Sequence, residues 1–380
     1  MAQASVSKPV TKRLNWLDAL RGWAVLGVVA VHSSEVAHSR GPLGEMAGAG
    51  QYGVQLFFLV SALTISLTYD SHIRQFGRSA RSQFAWLLKR FFRIAPLYYF
   101  AALFYPVEQY AIYQASHHRY GGLTQIPNIA ANLLFVHTWI PSANNSVVPG
   151  GWSIGVEMFF YLLVPFLWVV SPGRRRIAVL AAGGLLCLTG TFVVSWLATG
   201  SSYVVNNSYL YYWFPTQAPV LAIGLIFYFL RGSDLHQSPG RLSVLAASAG
   251  FLVFLPAGLY LGSVGKLEPA LAPVVLGVAF VCLALSLEGP LRLLLVNRFA
   301  IELGKISFSV YILHFVVLDG IRTAVQVLHF SRASELTVLP IYLTAVTLTS
   351  AIAYLSKRVI EDPAIAFGHK LSRRVALSGA

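Results

Sequence analysis

Long apolar stretches separated by short polar and basic segments dominate the pattern of the sequence. A helix needs about 20 apolar residues to cross a lipid bilayer, and runs of roughly that length recur along the chain. Their spacing predicts an all-α fold, a polytopic membrane helix bundle with about ten transmembrane helices. The predicted spans cover residues 17–35, 50–69, 85–105, 152–170, 177–198, 209–230, 242–262, 270–287, 303–327 and 337–356.

The composition excludes a soluble protein of this length. Hydrophobic residues make up 56% of the 380 residues and charged residues only 11%, whereas a soluble domain carries roughly 25% charged residues. The net charge of +14 would suggest a nucleic-acid partner in a soluble protein, but cytoplasmic loops of membrane proteins collect Lys and Arg. We therefore expect contact with membrane lipid and no nucleic acid. Cys187 and Cys282 lie in apolar runs without metal-ligand spacing, so no metal site is predicted.

The segment 127–141 decides the orientation of every later loop. It is short and carries Asn132 and His137 between two prolines. If it crossed the bilayer, the basic run 174–176 would face outward, against the positive-inside rule. If it does not cross and the N-terminus is cytoplasmic, few of the 28 Lys and Arg residues remain outside, namely Arg40, Arg119, Lys266, Arg322 and Arg332.

This rule predicts that 127–141 is re-entrant or interfacial and that both termini are cytoplasmic. The predicted organisation is a cytoplasmic segment 1–16, a membrane domain 17–356 with an outer cap at about 106–151, and a cytoplasmic C-terminal tail 357–380.

Ionisable residues inside a span are energetically costly, so each one is a candidate functional residue. Arg21 and His32 lie eleven residues apart in the first span, which places them on one stripe of a helix, about 16 Å apart along its axis. His32 is a candidate for proton transfer, because histidine titrates near neutral pH, and Arg21 is a candidate anion ligand. The alternative is an arginine that extends to the lipid headgroups and a histidine at the interface.

Two further arginines begin the third span, in the sequence KRFFRIAPLYY. Arg90 and Arg93 are helix neighbours at positions i and i+3. Two guanidinium groups on one face suit phosphate binding. The alternative is the ordinary excess of basic residues in cytoplasmic loops.

The fourth span opens GGWSIGVEMFF and contains a carboxylate about one turn inside the predicted helix. Ser153 lies four residues before Glu157 and therefore on the same face. A carboxylate in this position is hard to explain by packing alone. The alternative is a buried pair between Glu157 and an Arg or His.

Hydroxyl and imidazole groups also fall on one face of the ninth span. Ser307, Tyr311 and His314 occupy positions i, i+4 and i+7, and Ser61 lies among apolar residues of the second span. The alternatives are a polar contact between helices and close packing of small residues.

Together these groups place a basic patch on the cytoplasmic side and His, Glu, Ser and Tyr groups within the bilayer. That arrangement suits an anionic donor entering from the cytosol and an acceptor on the other side. A transporter or flippase of a lipid-linked sugar or small acid fits the same pattern. A purely structural scaffold is disfavoured, since a scaffold gains little from ionisable groups in the membrane.

These segments resemble the acyltransferase 3 family of integral membrane O-acyltransferases. The resemblance rests on LDALRGWAVLGVVAVH, GVQLFFLVSALTI, RFFRIAPLYY, GGWSIGVEMFFYLLVP, LGKISFSVYILHF and the terminal IEDP. This chain departs from the family pattern at three positions. Gln55 stands where the family usually has an acidic or similar residue, Ala62 where it has Gly, and Gly155 where it has Ser or Thr.

The resemblance implies transfer of an acyl group, commonly acetyl from acetyl-CoA, to a hydroxyl of a surface or lipid-linked carbohydrate, in the bacterial cytoplasmic (inner) membrane. It implies that Arg21, Arg90 and Arg93 hold the CoA phosphates. His32 would act as general base or accept the acyl group itself, with Glu157 orienting it and His314 as the competing base. Ser153 or Ser307 would stabilise the oxyanion. Substrate-lining roles would fall to Trp152, Tyr311, Ser307 and Ser61.

Overall fold

The computed structural model describes residues 14–116, 126–170, 173–231, 240–263, 269–327 and 335–377. Within these ranges the chain is helical and contains no strand. Its α-helices are α1 (Asn15–Ala37), α2 (Pro42–Gly48), α3 (Gly53–Phe76), α4 (Ala80–Ser116), α5 (Ile126–Leu133), α6 (Trp152–Val170), α7 (Arg174–Thr199), α8 (Tyr209–Tyr212), α9 (Phe214–Arg231), α10 (Arg241–Ser263), α11 (Ala272–Ser286), α12 (Leu291–Leu295), α13 (Arg298–Lys305), α14 (Ser307–Val327), α15 (Val338–Ser356) and α16 (Asp362–Leu377).

Every apolar run predicted from the sequence falls on helices, which confirms an all-α polytopic membrane bundle. In the described ranges, 7 helical segments are long and apolar enough to cross a membrane. The runs 17–35 and 85–105 lie on α1 and α4, whose polar residues lower their hydropathy, and 270–287 lies on the shorter apolar helix α11. The number of crossings and the side of each terminus stay predictions.

The segment 127–141 forms no long helix. Helix α5 has 8 residues, which spans only about 12 Å and is too short to cross a bilayer. A single 3₁₀ turn, His137–Trp139, follows it. Residues 1–13 and 117–125, which belong to the predicted N-terminal segment and outer cap, lie outside the described residues.

Helix α1 is held by very close backbone contacts. It packs against α3, α13, α14 and α15. A Cβ atom on Gly22 would lie 2.2 Å from the carbonyl oxygen of Ala300, and one on Gly304 would lie 1.7 Å from that of Asp18. Only glycine permits these approaches, and such contacts favour helix association in membranes. Arg21 and His32 therefore project from a fixed helix; we call its two ends the Arg21 end and the His32 end.

Residues 357–377 of the predicted C-terminal tail are helical. Helix α15 continues through a π-helical turn, Lys357–Glu361, into α16, which packs along α4. The buried Glu361 accepts a hydrogen bond from the hydroxyl of Ser309 on α14. Residues 357–377 thus brace α4, the helix that carries Arg90 and Arg93.

Candidate active site

A cavity opens between α1, α3, α4, α6 and α14 and encloses about 700 Å³ of empty space, counting the space at its mouth. Its apolar wall includes Phe57, Phe58 and Ile65. Most of the site residues predicted from the sequence line it, namely Arg21, Ser61, Arg90, Arg93, Ser153, Glu157, Ser307 and Tyr311. The structure thus brings together residues from five separate segments of the sequence.

The cavity carries an excess of positive charge. Arg21 donates to Thr64 Oγ1 at 2.8 Å and lies 3.6 Å from the Asp18 carboxylate. Arg90 donates to Thr68 Oγ1 at 2.6 Å. Among the described residues, neither Arg90 nor Arg93 forms a salt bridge with a carboxylate. Glu157 is the one acidic residue among the described residues that line the cavity, so an anionic ligand would supply the remaining countercharge for the three arginines.

The Arg90 side chain also has an unused donor. Its Nε is buried and has no hydrogen-bond partner among the described residues. Its guanidinium lies over the rings of Trp86 and Tyr161, at 5.5 and 5.9 Å from their centroids. A buried polar atom normally finds a partner, so this orphaned donor fits a phosphate oxygen.

Glu157 lies in the cavity wall, but its partners differ from the predicted one. Its carboxylate accepts hydrogen bonds from Ser61 and, at 2.6 Å, from Tyr161 on the next turn of α6. The sequence predicted that Glu157 orients His32. In the structure its partners are Ser61 and Tyr161 instead, because spacing within α6 could not show which helix face would meet Glu157.

The carboxylate that contacts His32 belongs to Glu35. His32 Nδ1 lies 2.8 Å from Glu35 Oε2, and the His32 side chain is 26% exposed. Because an ionised carboxylate only accepts, Nδ1 carries the proton and Nε2 remains the basic nitrogen. Sequence reasoning missed Glu35, although its i, i+3 spacing from His32 was a usable signal.

His32 and His314 lie beside the cavity and do not line it. Their rings are 5.3 Å apart, and both pack on Phe315, at 4.5 and 4.1 Å. Buried His314 donates from Nδ1 to the backbone oxygen of Tyr311 at 2.7 Å. Its Nε2 has no partner within the described part of the chain. The two imidazoles, each with an Nε2 atom that carries no proton in these hydrogen-bond patterns, therefore form one cluster.

Tyr311 connects this histidine pair to the cavity. Its ring lies 6.0 Å from that of His314 and lines the cavity on its other side. Its hydroxyl donates to the Gly150 carbonyl at 2.9 Å and lies 2.8 Å from Ser153 Oγ. Gly150 has a φ of +73°, and a Cβ there would lie 3.0 Å from the Tyr311 hydroxyl, so a residue with a side chain would strain this contact.

Trp152 occupies a different place from the one predicted. Its ring stacks on Tyr212 at 4.7 Å and meets the edge of Phe58 at 6.0 Å. Phe58 lines the cavity, whereas Trp152 lies behind it. Sequence reasoning missed three residues that hold the charged groups of the cavity, two of which, Thr64 and Tyr161, line it. Thr64 and Thr68 hold the arginines from α3, and Tyr161 holds Glu157; the threonines follow Ser61 at i+3 and i+7, which was the available signal.

Each departure from the family pattern has a local partner. Gln55 Nε2 donates to Gln217 Oε1 at 3.1 Å. The Ala62 methyl faces Gly224, where a Cβ would come within 2.7 Å of it.

A Cβ on Gly155 would lie 2.7 Å from His137 Nε2, so His137 occupies the space that a larger residue at this position would need. His137 Nε2 donates to the Gly151 carbonyl at 3.0 Å. Burial lowers the pKa of this imidazole, which keeps it neutral near pH 7.

The chain as a whole is similar to known acyltransferases. The sequence model of the family described as "Acyltransferase domain", acyltransferase 3, matches residues 14–355. The protein named Acyltransferase MdmB, from Streptomyces mycarofaciens, is 25% identical over 335 residues, which cover 82% of this chain and 80% of that protein. No solved structure gives a significant match. The match over nearly the whole chain favours acyl transfer over transport, and the chain belongs to the acyltransferase 3 family of integral membrane acyltransferases.

Proposed function

We propose that this enzyme transfers an acetyl group from acetyl-CoA to a hydroxyl of a surface or lipid-linked carbohydrate, in the bacterial cytoplasmic membrane. The observation that carries the proposal is the cavity in which Arg21, Arg90 and Arg93 meet beside an imidazole pair. The cavity accounts for an anionic thioester donor, and the imidazoles account for base catalysis. The likeness to Acyltransferase MdmB supports acyl transfer as the reaction.

The donor is bound through charge and shape. Acetyl-CoA carries several phosphate charges, and planar guanidinium groups bind phosphate through paired hydrogen bonds. Arg90 and Arg93 form no salt bridge with a described carboxylate, and Arg90 Nε lacks a partner. The aromatic wall at Phe57 and Phe58 receives the less polar arm that carries the thioester.

The orientation follows from the distribution of basic residues. Under the positive-inside rule the Arg21 end of α1 faces the cytoplasm, where acetyl-CoA is made available, and the His32 end faces outward. The donor then enters among the arginines. The acceptor reaches the imidazole pair from the opposite side.

His32 is the proposed general base. Glu35 holds its Nδ1–H, so Nε2 takes the proton of the acceptor hydroxyl. The acceptor oxygen attacks the thioester carbonyl carbon, the carbon–sulfur bond breaks, and the leaving thiolate takes up the proton. In the alternative, covalent route His32 first accepts the acetyl group. This route differs from direct transfer in forming an acetyl-imidazole intermediate, which mass spectrometry of the trapped enzyme would detect.

His314 and Tyr311 support this chemistry from the neighbouring helix. His314 presents an Nε2 without a partner among the described residues, at a ring separation of 5.3 Å from His32. Tyr311 and Ser153 place hydroxyl groups at the boundary between cavity and imidazoles, where the developing oxyanion needs donors. Glu157 balances part of the arginine charge and fixes Ser61 and Tyr161.

The test uses purified protein in nanodiscs with acetyl-CoA labelled in its acetyl group and a carbohydrate acceptor. Wild-type protein should label the acceptor, and His32→Ala should lose at least 100-fold in rate, about the share that general base catalysis supplies. Leu242→Ala, at an 84% exposed position of α10 outside the cavity, is the control and should retain the wild-type rate. Equal labelling by His32→Ala would remove His32 from the mechanism.

A further inference from the structure

A second concave surface lies at the His32 end of α1. It encloses about 550 Å³ of empty space, counting its open side, between Ser34, Glu35, His38, Ser39 and Arg40. We call these five residues the acceptor groove. All five side chains are polar, in contrast to the aromatic wall of the arginine cavity. The groove therefore offers hydrogen-bond donors and acceptors to a polar ligand.

Several of these polar groups are unused. Among the described residues, the side chains of His38 and Arg40 have no hydrogen-bond partner, and both residues are exposed. Glu35 uses Oε2 for His32, and its Oε1 has no partner in the described ranges. A carboxylate oxygen, an imidazole and a guanidinium are thus available to one bound molecule.

Glu35 belongs both to the groove and to the candidate catalytic cluster. Its carboxylate lines the groove and accepts from His32 Nδ1 at 2.8 Å. A molecule bound to Glu35 Oε1 in the groove would therefore be linked to the His32 ring through the other oxygen of the same carboxylate. The arginine cavity reaches the same imidazoles through Tyr311 and His314. The groove therefore contacts the imidazole pair through Glu35, and the arginine cavity contacts it through Tyr311.

The wall of the groove is held in place by Glu335. This carboxylate accepts from Ser39 Oγ at 2.6 Å, from the Gly41 amide at 2.7 Å and from the Leu43 amide at 3.2 Å. A Cβ on Gly41 would lie 2.5 Å from Glu335 Cδ. Because these bonds fix the turn after α1, the groove is preformed, as binding sites generally are.

We propose that the acceptor groove binds the hydroxyl-bearing acceptor, a sugar, and that Glu35 both positions His32 and receives a second hydroxyl of that sugar. The inference rests on the proposed function and names the acceptor site that the function requires. Arg40 and His38 bind further sugar oxygens. The hydroxyl nearest His32 gives its proton to Nε2 as its oxygen bonds to the acetyl carbon, and CoA leaves as the thiol.

The experiment measures steady-state kinetics in nanodiscs with acetyl-CoA and a panel of octyl glycosides: glucoside, galactoside, mannoside and rhamnoside. The glycoside that wild-type protein acetylates best is the probe. Arg40→Ala and His38→Gly should each raise the KM for this glycoside about tenfold, the loss of one good hydrogen bond. The KM for acetyl-CoA and kcat should change less than about twofold. Glycine is chosen because His38 has a φ of +51°.

Glu35 has a separate signature because it acts through His32. Glu35→Gln should lower kcat and also raise the glycoside KM, with the acetyl-CoA KM unchanged, and Glu35→Asp should recover part of the loss. Glu45→Gln removes an exposed acid of α2 outside the groove and should match wild type.

If the wild-type protein is active but the glycoside KM is unchanged in Arg40→Ala, His38→Gly and Glu35→Gln, the groove does not bind the acceptor. The proposed function is not contradicted by that result. A wild-type protein that acetylates none of the glycosides overturns the carbohydrate acceptor itself.

Discussion

Arg90 is the donor-site residue whose proposed role depends most on the planar shape of its guanidinium group. A lysine would keep the charge but lose the planar fork and the stacking over Trp86 and Tyr161. We expect Arg90→Lys to raise the KM for acetyl-CoA at least tenfold, about 1.4 kcal/mol of binding, with a smaller change in kcat. Arg81→Lys, at an exposed position of the same helix, is the control. An unaltered KM in Arg90→Lys would place the CoA phosphates elsewhere.

His137 fills the space beside Gly155, which has no room for a side chain. Gly155→Ser would place a Cβ 2.7 Å from His137 Nε2 and displace the ring from the Gly151 carbonyl. Overpacking of this kind costs about 1 to 3 kcal/mol, so the thermal midpoint in detergent should fall. The double variant Gly155→Ser with His137→Ala should be more stable than the two single effects predict. Strict additivity would show that the two residues do not compete for space.

At the residue scale, helical spacing predicted which side chains share a face, and the cavity confirms most of them as neighbours. Arg21, Ser153, Glu157 and Tyr311 were found in this way. Spacing could not show which faces of different helices meet, so Glu157 was paired with His32 in error. The true partner, Glu35, escaped notice because a carboxylate at the end of a span resembles ordinary interfacial polarity.

At the scale of elements, α16, the helix that follows the last predicted span, stabilises the position of α4. Gly368 of α16 lies against α4, where a Cβ would come within 2.5 Å of Phe92 Cβ. Neither atom can rotate away, so the two helices would have to separate beside Arg90 and Arg93. The tail helix therefore helps to position the donor site.

We expect Gly368→Ala to lower the thermal midpoint in detergent, by an amount equivalent to about 1 to 3 kcal/mol. Gly183→Ala is the matched control, because nothing lies within 4 Å of a Cβ at that exposed position of α7. Alanine there should be neutral or stabilise the helix by up to about 1 kcal/mol. Equal midpoints for the two variants would contradict the proposed bracing of α4 by α16.

Hydropathy located the apolar helices well and the polar ones poorly. All ten apolar runs are helical, since length and apolar content suffice to mark a membrane helix. The same signal ends α4 near residue 105, whereas the helix continues to Ser116, and it marks nothing at α16. Residues 106–116 are rich in polar side chains, and α16 carries Asp362, Lys370, Arg373 and Arg374, so a search for apolar runs passes over both segments.

At the scale of the whole molecule, the structure has two concave surfaces with different chemistry. One carries three arginines and an aromatic wall, and the other carries only polar side chains. His32, His314 and Tyr311 lie between them as ring neighbours. In the proposed reaction the donor and the acceptor therefore approach from opposite ends of α1.

The most direct test of this claim is the sidedness of transfer in sealed proteoliposomes of known protein orientation. Labelled acetyl-CoA is confined to one side and a membrane-impermeant carbohydrate acceptor to the other. We expect labelled acceptor only when acetyl-CoA is on the side of the N-terminus, at the Arg21 end, and the acceptor is on the side of the His32 end. Transfer with the sides exchanged, or only with both substrates on one side, would contradict it.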